Sequence, residues 1–104
     1  MKTAVVKGVI IKCSGELVIE SKSFEVTLDE EVLKFTGGPT GFEEYSVNSR
    51  FIAETSHRGI CPCAGVLGRW NRMRIENWHM QRMWSDLGID WKPIYKDWLK
   101  SRLQ

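Results

Sequence analysis

No apolar run in this chain approaches the length of a bilayer crossing. The longest near the start, residues 4–6 and 9–11, are broken by Lys7, Gly8 and Lys12, which excludes a spanning segment and a secretory h-region. Cysteine is scarce and odd in number: Cys13, Cys61 and Cys63 cannot form the even disulfide framework of a small secreted scaffold. A reducing, cytoplasmic setting is therefore expected, with no membrane partner. An excess of one charge is missing as well. Lysine and arginine number 15 and aspartate and glutamate 13, so the net charge of +2 falls far short of the basic excess of a dedicated nucleic-acid binder. Internal repeats and low-complexity tracts are lacking too.

What is present suffices for one core. With 104 residues, of which 42% are hydrophobic and 11% aromatic, the chain has the apolar surface of a single folded domain and too little length for two. Its halves differ. Residues 1–50 hold 6 basic and 8 acidic side chains, a net −2, and residues 51–104 hold 9 and 5, a net +4. All five tryptophans, Trp70, Trp78, Trp84, Trp91 and Trp98, lie in the second half.

Residues 1–47 are rich in valine, isoleucine and phenylalanine in short runs divided by turn residues, the signature of a β-meander. The expected strands are residues 5–12, then, after a turn at Ser14 and Gly15, residues 17–20. The alternating Phe24, Val26 and Leu28 form the next. A polar turn over Asp29, Glu30 and Glu31 leads into residues 32–36. The stretch Gly37, Gly38, Pro39, Thr40, Gly41 ends that strand, and residues 42–47 supply a short fifth. That glycine stretch lacks the lysine and hydroxyl residue of a phosphate-binding loop and reads as a turn.

Residues 48–67 show no sustained period and read as a long loop, with residues 50–54 suited to one helical turn. From Arg69 the period becomes helical: Trp70, Met73, Met80, Trp84 and Leu87 fall on one stripe, expected to face the core. Gly88 suits a left-handed cap, Asp90 suits the N-cap of the next helix, and Pro93 is tolerated in its first turn. In that last helix Trp91, Ile94, Tyr95, Trp98 and Leu99 make an apolar face, opposite Lys92, Lys96 and Lys100. Residues 68–104 thus read as two helices. The expected fold is α+β, an N-terminal antiparallel β-meander of four or five strands packed against two C-terminal α-helices.

The side chains opposite the core stripe carry the functional expectation. On the helical wheel Asn71, Arg72, Arg74, Ile75, Trp78, His79 and Arg82 share that face, a tryptophan and an isoleucine within a basic surface. Arginine and tryptophan are enriched at binding hot spots, and this face is the candidate partner-binding site. The alternative use of the same side chains is on nucleic acid, arginines on phosphates and Trp78 stacked on an unpaired base. Packing of Trp78 against the loop or the last helix competes with both, and exposed aromatics also suit a homodimer seam.

His57, Cys61 and Cys63 are the one metal candidate, a zinc site with His79 or Cys13 as the fourth ligand. There is no second paired knuckle, and small buried thiols in a tight loop account for the same residues, so no cofactor is expected. A cysteine nucleophile with His57 or His79 as base lacks a local signature. Gly65 and Gly68, before Arg69, suit an anion at a helix N-terminus. Together these patterns point to a non-enzymatic protein that binds a protein partner as an inhibitor or adaptor.

Overall fold

The structure, a computed structural model, describes residues 1–14, 16–37, 42–60 and 69–103, with the backbone alone for residues 13, 14, 42, 43 and 69–72. The fold is α+β: a five-stranded antiparallel sheet packed against three helices. In chain order the elements are β1 (Lys2–Ser14), β2 (Leu17–Asp29), β3 (Val32–Thr36), β4 (Phe42–Ser46), α1 (Ser49–Arg58), β5 (Arg69–Arg74), α2 (Asn77–Asp86) and α3 (Trp91–Arg102). The sheet order is β4-β3-β2-β1-β5.

The two strands expected over residues 17–28 are one. β2 runs for 13 residues because Leu17 to Leu28 all find partners in β1, from Cys13 opposite Leu17 to Lys2 opposite Leu28, and Asp29 pairs with Val32 of β3. Polar Ser21, Lys22 and Ser23, which suggested a break, continue the ladder across from Val9, Gly8 and Lys7. β3 is shorter and pairs only with residues 25–29 of β2.

Alternation fixes the inner face. Val6 and Ile10 of β1, Phe24 and Val26 of β2, Leu33 and Phe35 of β3, and Met73 of β5 are buried together. The helices close this face with Ile52 from α1 and with Met80, Met83 and Trp84 from α2, followed by Leu87. Trp84 is fully buried, and its indole N–H donates to Thr55 Oγ1 at 3.1 Å, so the one polar atom of the largest core side chain is satisfied. Edge and face contacts link Phe35, Tyr45, Phe51 and Trp84 from sheet to helix.

α1 lies within the segment expected to be a loop and extends well past one turn. Its ends carry ordinary helix signals: the Asn48 side chain accepts from Phe51 N–H at 2.8 Å, and Gly59 follows the last residue at φ +73°. The expected helix from Arg69 is corrected as well. Residues 69–74 are strand β5, paired to β1 from Ser14 opposite Arg69 to Val9 opposite Arg74. The helical stripe therefore begins only at Met80, and Met73 reaches the core from a strand. Since Arg69 opens a strand, it offers no helix N-terminus for an anion; Gly65 and Gly68 lie outside the described residues, as do Gly15, Gly38, Pro39, Thr40 and Gly41.

The end of α2 matches the expected cap. Gly88 at φ +81° donates to Ser85 C=O at 3.0 Å, and Ile89 N–H donates to Trp84 C=O at 2.9 Å, the paired bonds of a Schellman motif. Asp90 occupies the N-cap of α3, but its side chain makes no capping hydrogen bond. The apolar face of α3 lies against α1, with no residue fully buried: His57 Nδ1 meets Tyr95 Oη at 2.9 Å, and the His57 and Trp98 rings are 5.4 Å apart.

Candidate functional site

β1 leads away from the core and β5 returns beside it, so Arg74 ends its strand directly across from Val9. The chain then turns through Ile75 and Glu76 into α2. Arg74, Glu76, Trp78 and His79 thereby line one side of a groove of about 650 Å³, whose other side is the β1–β2 hairpin with Lys7, Val9, Ile11 and Ile19. Trp78 is 55% exposed, yet it is held: its indole N–H donates to Glu76 Oε2 at 2.7 Å, and its ring stacks on His79 with centroids 3.6 Å apart.

The candidate residues separate. Arg74, Trp78 and His79 meet in the groove, and Arg82 is exposed one turn further along α2, outside it. Ile75 is removed from the binding face: at 1% exposure it belongs to the core, because a strand period of two places it with Met73 rather than with Arg74. Asn71 and Arg72 stand opposite Lys12 and Ile11 in the β1–β5 ladder, with their side chains outside the described part. The hairpin half of the groove was missed in the sequence. Val9, Ile11 and Ile19 read there as ordinary strand residues, and their alternation with buried Ile10 was the available signal.

Cys61 and Cys63 lie outside the described residues, as does the Cys13 side chain. Among the described residues no group of three metal-ligating side chains occurs. His57 is engaged with Tyr95 and Trp98, and His79 with Trp78.

A larger concavity, about 940 Å³, lies between α1 and α3 and includes Arg50, Glu54, Arg58, Trp98 and Arg102. Its three arginines and Glu54 are already engaged. Glu54 pairs with Arg50 at 2.6 Å and with Arg58 at 3.6 Å, and the Arg102 guanidinium sits over the Trp98 ring at 4.6 Å. The Trp78 groove instead presents uncovered aliphatic and aromatic surface, the better basis for recognition. Among the described residues no helix is long and apolar enough to cross a membrane. Comparison of the chain with protein-family models, with curated proteins and with solved structures gave no match.

Proposed function

We propose that this is a non-enzymatic cytoplasmic protein that docks on a protein partner through the Trp78 groove, acting as an inhibitor or adaptor by occupying that partner's surface. The observation that carries this reading is an exposed tryptophan immobilised by Glu76 and His79 beside exposed Ile19. A ring already held in place loses little conformational entropy on binding, and such aromatic anchors dominate interface energetics.

Nucleic acid is the second reading, favoured by Lys7, Lys22 and Arg74 around the same groove. The aliphatic floor of Val9, Ile11 and Ile19 argues for a protein, since it offers neither a stacking platform for bases nor donors for phosphate.

The test is affinity capture from lysate with wild type and Trp78→Ala, each with and without nuclease. A stoichiometric protein that survives nuclease and is lost with Trp78→Ala, while the variant keeps the wild-type melting temperature, supports docking. Equal capture by both proteins refutes the groove, and nuclease-sensitive recovery transfers the site to nucleic acid.

A further inference from the structure

Independently of the Trp78 groove, we propose that the cavity between α1 and α3 binds a phosphate monoester, held by the guanidinium groups of Arg50, Arg58 and Arg102. Helical spacing assembles two of these cations. Arg50, Glu54 and Arg58 follow one another at steps of four, so they share one face of α1, and both arginines turn to the carboxylate between them. Arg102 joins them from the last turn of α3. Its charge reaches Glu54 as well, since it helps to hold that carboxyl below its ordinary value.

The internal carboxylate satisfies this cluster only in part. Glu54 sets one negative charge against three positive ones, and its two oxygens are already divided, Oε1 to Arg50 and Oε2 to Arg58. Arg102 receives neither: its guanidinium lies over the Trp98 ring, and among the described residues it has no carboxylate partner. Of Arg50 only Nε donates to Glu54, and Arg58 stands 3.6 Å away, beyond hydrogen-bond range. Most of the guanidinium N–H groups thus have no acceptor among the described residues. The hydroxyls of Ser49 and Ser101, which also line the cavity, have none either.

The arrangement calls for a dianion with oxygens on several sides. A phosphate monoester carries close to two negative charges at neutral pH and three terminal oxygens, to which guanidinium forks bind in pairs of hydrogen bonds. A carboxylate or a phosphodiester offers a single charge and two free oxygens. Asp97 opposes any anion here. It lines the same cavity from α3 and forms no ion pair among the described residues, but it does not act on Glu54 as the arginines do. Its removal should therefore strengthen binding, where removal of an arginine weakens it.

Titration of the isotopically labelled full chain at about 0.15 M salt, followed by amide and indole nuclear magnetic resonance, tests this. Phenyl phosphate represents a free monoester, and a capped neutral phosphoserine pentapeptide a modified side chain. Both are expected to saturate near millimolar concentration, moving the Trp98 indole signal and leaving that of Trp78 in place; the tighter of the two identifies the source. Benzoate and dimethyl phosphate should bind about tenfold more weakly. Arg50→Gln and Arg102→Gln should each weaken phenyl phosphate about fivefold, and Asp97→Asn should strengthen it about twofold. No saturation below about 20 mM, a response centred on Trp78, equal binding of benzoate or dimethyl phosphate, indifference to either arginine change, or weaker binding by Asp97→Asn would each overturn the proposal.

Discussion

Gly59 shows how narrowly one residue holds α1 to the sheet. It adopts φ +73°, and a Cβ there would meet the Ile75 carbonyl oxygen and come to 2.8 Å from Asn77 N. Gly59→Ala combines a disfavoured backbone region with backbone contacts that cannot rotate away, and is expected to lower stability by more than about 2 kcal/mol in urea titration. A change under about 0.5 kcal/mol would contradict that geometry. The two tryptophans expected to be core behave differently. Trp84 is fully enclosed within the buried cluster, against the Phe51 ring and the Thr55 hydroxyl, and Trp84→Ala should cost about 3–5 kcal/mol through the cavity it leaves. Trp98 is half-buried on a helix with no buried residue, so Trp98→Ala should cost only about 1–2 kcal/mol. Equal losses would place α3 deeper than it stands here. Both residues followed the helical period in the sequence, yet period reports the face a side chain shares and leaves open how much matter lies beyond it.

Among the elements, α1 and β5 were the hardest to read. Asn48 and Gly59 bracket α1 correctly, but the helix buries Thr55 and Ser56, whose hydroxyls bond back to carbonyls one turn earlier, so the hydropathy pattern is blurred. At the end of β5 and the residue after it, the sequence Arg-Met-Arg-Ile also fits a helix face, and the alternation extends over too few residues to separate the two periods. α1 also carries an electrostatic signature. The Glu54 carboxyl sits below its ordinary value, foremost because the Arg50 side chain donates a hydrogen bond to it. The charges of Arg50, Arg58 and Arg102 act in the same direction, and partial desolvation opposes them. A carboxyl lowered in the folded state contributes stability above its unfolded value and loses that contribution as pH falls through the folded one. Melting curves of Glu54→Gln and wild type should therefore differ at neutral pH and converge in acid below the ordinary carboxylate range. A gap that widens in acid would refute the pairing.

For the whole molecule, one buried cluster joins strands and helices, with side chains from β1, β2, β3, β5, α1 and α2. Unfolding in urea should accordingly be a single transition, coincident by tryptophan fluorescence and far-ultraviolet circular dichroism. An earlier fluorescence step would show α3, which carries Trp91 and Trp98, leaving the sheet on its own. Local order was legible from the chain alone, because alternation in Phe24, Val26 and Leu28, the Gly88 cap and the apolar face of α3 are properties of neighbouring residues and their intrinsic periods. Tertiary structure decided the rest. Residues 69–74 became a strand because β1 offers them a ladder of backbone hydrogen bonds from Val9 to Ser14, and that choice sent Ile75 into the core. Trp78 stayed at the surface because Met80, Met83 and Trp84 fill the side of α2 that faces the sheet. Which face of a short segment is buried depends on what packs against it, and those partners come from remote parts of the chain.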